Sequence, residues 1–321
     1  MKYLPLGQQA PSRIAVFGAT GHIGGPLARF VRYAAPGVVL RLIGRSDAQL
    51  DMLRTAFHDQ AEIVRADYLD PGTVHDAMRD VDAVFVVTPH FLDEERAMGN
   101  LVAALRNSRD LKRIIRICGF PPDSRKENLP AYFREFGTGV AVQHFIAREV
   151  LDASSLPVSY INMGASLMDN FLRNASLKKQ CTLIWPERRI PYLDPGEVGE
   201  AAARLFLAAD NADLGLVHTV NNGYDLLSAT EVADMMSEVL QAPIIHDGSR
   251  DSYLAANQAR AAQRFGRVDA ADYMWHYLEY ERHQERGWSL NDKLETIIGR
   301  RPRTLRAWLE QHRTMLFASS Q

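Results

Sequence analysis

The sequence of 321 residues is poor in cysteine, in long apolar runs and in net charge. Its two cysteines sit in unlike surroundings: Cys118 ends an apolar strand-like run, and Cys181 follows a lysine pair. That usage argues against a disulfide framework and for a reducing compartment, with the cytoplasm as the expectation. No stretch approaches about 18 uninterrupted apolar residues, so no membrane span is expected. The opening "MKYLPLGQQAPS" lacks the apolar core of a signal peptide. A net charge of −2 offers no overall positive field for nucleic acid or anionic lipid. The one dense basic stretch, "GRRPRTLR" at 299–306, reads as the solvated start of a short C-terminal helix carrying Leu305, Trp308, Leu309 and Leu316.

Familiar catalytic arrangements are missing too. There is no G-x-S-x-G elbow for nucleophilic hydrolysis. The ten histidines are scattered, and the helical-face pair His276 and His283 belongs to a solvated pattern, so no metal site is expected. None of the eleven tyrosines has a lysine four positions later, so no lysine is placed to lower a phenol's pKa for proton transfer. Repeats and low-complexity linkers are also absent. What remains is an ordinary globular composition, 46% hydrophobic and 24% charged.

From residue 13 to about 162, short β-branched runs alternate with amphipathic helical segments. The expected strands are "RIAVFG" (13–18), "VVLRLIG" (38–44), "AEIVRAD" (61–67), "DAVFVVTP" (82–89), "KRIIRIC" (112–118) and "PVSYINM" (157–163). Helices are expected after the first strand, with Ile23, Leu27, Phe30 and Val31 on one face, and over roughly 94–108 and 138–153. Parallel strands need crossover helices, so the pattern predicts an α/β fold with a Rossmann-like doubly wound parallel sheet. After residue 163 a Met/Phe/Trp-rich stretch, a helix over 198–208, a strand at 215–222 and a mainly helical tail follow. We therefore expect a Rossmann-like domain of 13–162 with 197–222, and a smaller, mainly α-helical C-terminal lobe of 163–196 with 223–321. A ligand site is expected in the cleft between them.

"IAVFGATGHIGG" at 14–25 places Gly18, Gly21 and Gly24 three apart between a strand and a helix. Glycines there allow a tight turn and bring backbone amides and a helix N-terminus close to a pyrophosphate. Gly18, Thr20, Gly21, His22, Ile23 and Gly24 are therefore candidate cofactor-binding positions. After the second strand, Arg45 stands 21 residues beyond Gly24, where a guanidinium would meet a ribose 2′-phosphate. The neighbouring Asp47 keeps NAD(H) open as the less favoured cofactor.

"VFGATGHIGGPL", "RADYLDPGTVHDAMRDVDAVFVVTP", "QHFIAREVLDASSLPVSYINMGASLMDNF" and "GRRPRTLRAWLEQH" appear in this order. Together they resemble the NmrA-like branch of the atypical short-chain dehydrogenases over about residues 13–316. The resemblance implies a Rossmann lobe with a small helical substrate lobe, and NADP(H) with Arg45 on the 2′-phosphate. It also implies that Asp67 and Tyr68 lie beside adenine, and Thr88 and Pro89 beside the nicotinamide ribose. It leaves activity open, because similar proteins include quinone, enone and imine reductases as well as redox sensors.

Where the wider superfamily carries Tyr-x-x-x-Lys, this chain has His144-Phe-Ile-Ala-Arg148. An imidazole there is a plausible proton donor, and Arg148 could hold ribose hydroxyls but cannot relay protons. Cys118, in the region of the superfamily's catalytic serine, reads as a small buried hydrophobe. His90, Phe91, Phe133, Met163, Met168, Phe171 and Trp185 are the candidate walls of a pocket for a flat apolar or aromatic substrate. The favoured expectation is an NADP(H)-dependent oxidoreductase passing hydride to a quinone, enone or imine, with orientation of the two reactants as the protein's task. The alternative is an NADP(H) sensor that binds cofactor and a protein partner without turnover. The expected partner is a small-molecule substrate, with a homodimer left open.

Overall fold

A computed structural model describes residues 10–108, 110–121, 124–208, 213–284 and 287–316. The N-terminal stretch read for a signal peptide falls largely on 1–9, outside the described residues. Strands β1 (Arg13–Val16), β2 (Val39–Gly44), β3 (Glu62–Arg65), β4 (Ala83–Val86), β5 (Arg113–Cys118) and β6 (Val158–Met163) form one sheet. Their crossovers run through α1 (Gly24–Ala34), α2 (Asp47–Phe57), α3 (Pro71–Ala77), α4 (Glu94–Leu105), α5 (Ala131–Phe136) and α6 (Val140–Asp152). Beyond β6 come β7 (Ser166–Leu167), α7 (Ala175–Gln180), β8 (Thr182–Ile184), β9 (Ile190–Leu193) and α8 (Pro195–Phe206). Strand β10 (Val217–Val220) then returns to pair with β6, completing seven parallel strands in the order β10-β6-β5-β4-β1-β2-β3.

The strand alternation explains the layering. Ile14 and Val16 of β1 pack with Leu27 and Val31 of α1 and Val198 and Ala202 of α8 on one face. Ala15 points to the other face, where Val84, Val86 and Ile114 meet Met98 and Leu101 of α4 and Ala147 of α6. β4 is buried on both faces, as its unbroken "AVFV" run requires. β1 stops at Val16, two residues short of the expected end, because Gly18 turns left-handed at φ +68°.

The C-terminal region continues through β11 (Leu226–Leu227), α9 (Ala229–Leu240), β12 (Ile245–Asp247), α10 (Arg250–Phe265), α11 (Ala270–His283), α12 (Lys293–Ile298), α13 (Leu305–Gln311) and α14 (Arg313–Leu316). It is mainly helical, but two small ladders, β11-β9-β7 and β12-β8, stitch it to the segment after β6. Those strands are too short for alternation to reveal. Met168, Phe171, Leu183, Tyr192, Met236 and Trp308 form its core.

The basic stretch 299–306 is more than a solvated helix start. Arg300 places Nη1 2.6 Å from Glu197 Oε1 and Nη2 2.6 Å from Glu200 Oε2. The Arg303 guanidinium pairs with Asp194, and its backbone N–H donates to Glu197. Glu197 is buried, and an unpaired carboxylate there would be costly, so the arginines bind the C-terminal tail to the start of α8. Among the described residues, no helix is long and apolar enough to cross a membrane.

Candidate functional site

At the carboxyl ends of the strands lies a groove of about 810 Å³, lined by residues 18–25, Arg29, Arg45, Asp67, Tyr68, Thr88 and Pro89. All the sequence-derived cofactor candidates lie along it. The turn between β1 and α1 has no room for side chains at its key glycines. A Cβ at Gly24 would stand 2.5 Å from the Gly18 carbonyl oxygen, and one at Gly18 would stand 2.5 Å from Val87 Cγ1. α2 starts with a Ser46 capping box, whereas α1 has no side-chain cap and no acidic residue in its first turn. Gly25 N–H already donates to the Gly21 carbonyl and Leu27 N–H to that of Ile23, and Pro26 has none, which leaves the Gly24 N–H and the positive end of α1 to an anion in the groove.

The two charged residues after β2 have different fates. Arg45 is exposed, lines the groove and the edge of the neighbouring cavity, and makes an ion pair with no carboxylate among the described residues. Asp47 is held by Arg65 and lines neither groove nor cavity. Asp67 Oδ1 accepts from the Leu69 N–H at 2.9 Å, and the buried Tyr68 ring stacks on Phe17 at 4.1 Å between centroids. Thr88 is fixed from behind: its hydroxyl donates to Glu94, and Arg116 Nη2 donates to Thr88 Oγ1 at 2.7 Å. Arg116 and Glu94 are themselves buried and 3.2 Å apart.

Beyond Thr88 and Pro89 the groove opens into a second cavity of about 570 Å³. Of the predicted substrate walls, His90, Phe91, Met163 and Trp185 line it. Phe133, Met168 and Phe171 do not, which corrects that part of the expectation. Phe133 packs against Tyr273 and Tyr277, and Met168 and Phe171 lie inside the core of the C-terminal region. Apolar identity alone did not separate wall from core.

His144 lines the cavity from α6, and a Cβ at Gly119 would lie 3.4 Å from its Nε2 and 3.7 Å from Met163 Cε. Burial, reinforced by Arg116 and then His90, holds the His144 pKa well below the ordinary histidine value. The ring is therefore neutral near pH 7, and the expected role as a protonated donor gives way to that of a neutral hydrogen-bonding group. Arg148 is likewise corrected. It lies outside both the groove and the cavity, paired with Asp152 at 3.4 Å and set over the Tyr160 ring at 5.4 Å. One helical turn did bring the two residues to one side of α6, but the long arginine side chain leans onto β6. Cys118 is fully buried and pushed up to about 11 by burial, so its thiol is unreactive.

His144 Nδ1 is a buried atom without a protein partner, and it lines this cavity together with His90 and Gln143, whose side chains interact with each other. Polar atoms left this way are suited to a ligand. Burial, followed by Arg264 and Arg173, pushes the His90 pKa down to about 4. Sequence reasoning missed Gln143, adjacent to a residue it singled out, and Arg29, one helical turn beyond the glycines. It also missed Arg173 and Arg264, which reach the cleft from distant segments and carry no local signature. Among the described residues, no group of three potential ligands could hold a metal ion.

The model of the NmrA-like family matches residues 10–247. A comparison with curated protein sequences finds no match. Among solved structures, the chain is similar to the triphenylmethane reductase of Citrobacter sp. complexed with NADP(H), at 18% identity and TM-score 0.73, covering 93% of this chain and 99% of that one. It is also similar to the NADPH-dependent quinone oxidoreductase of Escherichia coli complexed with NADPH, at 18% identity, TM-score 0.72 and the same coverages. A nucleoside-diphosphate-sugar epimerase from Staphylococcus aureus matches at 19% identity and TM-score 0.73, over 93% of this chain and 99% of its own. These likenesses establish the shared fold.

Proposed function

The chain belongs to the NmrA-like family, and from that premise we propose that it is an NADP(H)-dependent reductase of a small, flat electrophile such as a quinone, enone or imine. The observation that carries this reading is the cavity around the unpartnered His144 Nδ1, continuous with a glycine-lined groove along Val87, Thr88 and Pro89. Residues 13–162 with 197–222 would supply the groove, and 163–196 with 223–321 most of the far wall. Two similar structures hold NADP(H) and NADPH.

The groove fits a phosphorylated dinucleotide because its turn admits backbone where a Cβ would clash, and because Arg45 is a cation without a carboxylate partner. When bound, NADPH supplies a hydride. The chain's own tasks are binding and positioning. The start of α1, with the Gly24 N–H and Arg29, would hold the diphosphate, and Arg45 would hold the 2′-phosphate and select against NAD(H). Asp67 and Tyr68 flank the adenine, and Thr88, fixed by Glu94 and Arg116, sets the nicotinamide end.

Neutral His144 donates its N–H to the substrate atom on which negative charge develops, the oxygen of a quinone or enone or the nitrogen of an imine, without itself giving up a proton. The proton that completes reduction comes from solvent, which a quinone or polarised imine tolerates. Met163, Phe91 and Trp185 give the flat substrate apolar contact, excluding water from its faces. A pure sensor needs no such cavity beside the cofactor groove, so turnover is the better supported reading.

Mixing the protein with NADPH and a panel of quinones, enones and imines, and following the cofactor's near-ultraviolet absorbance, tests this directly. Steady oxidation with at least one acceptor class is expected. Tight NADPH binding without oxidation across the panel would refute the reductase.

A further inference from the structure

Beside the cavity lies a smaller recess of about 150 Å³, lined by Arg173, Arg260 and Arg264 together with Asn257, Trp185 and Tyr253. Its cations come from two separate segments. Arg173 follows the strand β7, while Arg260 and Arg264 stand one turn apart on α10, on the face that also carries Tyr253 and Asn257. Like charges at that spacing repel and weaken a helix, and α10 has only two buried residues, Tyr253 and Ala261, to offset it.

The carboxylates nearby do not balance three guanidiniums. Asp169 Oδ2 accepts from Arg173 at 2.8 Å and lies 2.5 Å from His22 Nδ1, its buried Oδ1 has no partner, and its charge is felt by Arg264 without an ion pair. Glu281, on the cavity wall, is buried against Arg188. Arg260 is turned toward the Arg173 carbonyl and, at 2.7 Å, Asn257 Oδ1. Arg264 has no hydrogen bond and no ion pair among the described residues; its guanidinium sits 5.2 Å from the centroid of Phe265. Arg264 nevertheless lines the groove, the cavity and the recess.

We propose that Arg264, with Arg260 and Arg173, forms an anion-binding subsite that takes a carboxylate, sulfonate or phosphate substituent of the substrate, so that the preferred acceptor is a flat electrophile bearing a negative charge. This rests on the reductase reading and narrows its substrate class. The recess shares His90, Trp185, Tyr253, Phe265 and Met274 with the cavity, but only Arg173 and Arg264 with the cofactor groove. That sharing favours a substrate group over the cofactor's diphosphate, which α1 and Arg29 already serve. A flat ring between Trp185 and His144 would have its anionic arm at the recess, where a charge-assisted hydrogen bond is strongest.

The test uses a benzoquinone whose short side chain ends in a carboxylate, and its primary amide, which has the same ring and the same shape. The carboxylate is expected to show a kcat/KM at least about tenfold higher, falling with added salt. Arg264→Gln should bring the ratio to within about twofold, and Arg264→Lys should keep part of it. Equal rates for the two quinones, or a preference that survives in Arg264→Gln, would overturn the proposal. So would a tenfold weaker NADPH affinity in Arg264→Gln with the ratio intact, since that assigns the arginine to the diphosphate. If neither quinone oxidises NADPH, the reductase reading has failed on these acceptors, and binding still decides the subsite. Quenching of tryptophan fluorescence by 3-(naphthyl)propanoate at tenfold lower concentration than by its amide supports it, and equal quenching overturns it.

Discussion

The groove and the cavity share a border along His22, Ile23, Arg45 and Val87 to Pro89 but are made in opposite ways. The groove is organised by backbone: one turn, one uncapped helix start and the ends of adjacent parallel strands, its lining drawn from the first ninety or so residues except for Arg173 and Arg264. The cavity is chiefly side chains, gathered from β4, β5, α6, the segment after β6, α10 and α11. A backbone cradle tolerates few residues at each position and so leaves a short, dense trace in the sequence. A side-chain wall tolerates many residues, provided that size and polarity suit, and leaves almost none.

The sharpest break in this comparison is Gly24→Ala. Its methyl group would collide with the Gly18 carbonyl and carbon at 2.5 and 2.8 Å. NADPH affinity by fluorescence titration is expected to fall by at least about a hundredfold, while binding of a naphthyl ligand in the cavity changes little. If both fall together, the two regions are less separate than their construction implies.

Arg45→Ala comes next. NADPH binding should weaken by about tenfold or more, and NADH binding by less than about twofold, because only the 2′-phosphate loses its partner. Equal losses would return the assignment to a general role in folding the loop after β2.

The cavity has its own signature in pH. His144 is held neutral by burial and Arg116, so kcat/KM should lack an inflection at the ordinary histidine value of about 6.5. His144→Phe should lower the rate roughly tenfold or more without changing NADPH affinity. His90 provides the matching stability test. Its folded pKa of about 4 lies below the unfolded value, so the unfolded chain takes up more protons and stability declines as pH falls from about 6.5 toward 4. Replacing His90 with Asn should remove a few degrees of the melting-temperature loss across that window.

The smallest effect belongs to Arg148→Ala. With its guanidinium on Asp152 and Tyr160, the rate and the cofactor affinity should both stay within about twofold of the parent protein.

The same contrast explains what was legible beforehand. The parallel sheet was readable because "DAVFVVTP" and its sister runs are bounded, apolar and separated by amphipathic helices. The glycine turn was readable because steric demand fixes residue type. Phe133, Met168 and Phe171 misled because a core and a ligand wall ask for the same side chains, and only the fold decides which face they reach. Arg264 was invisible because its neighbourhood reads as a solvated helix, and Arg173 because the apolar stretch it ends, with buried Met168 and Phe171, reads as core. The ladders of β7, β8, β9, β11 and β12 escaped because two to four residues cannot display a period. His144 lines the cavity, but its charge state depends first on burial and then on Arg116, a strand residue 28 positions away.

The most direct measurement of the central claim is a crystal structure with NADP+ bound. The nicotinamide ring is predicted at the junction of groove and cavity, against Thr88 and Pro89 and facing His144, with Arg45 on the 2′-phosphate. A ring turned out into solvent, or a cavity closed by side chains once the cofactor is in place, would contradict the account.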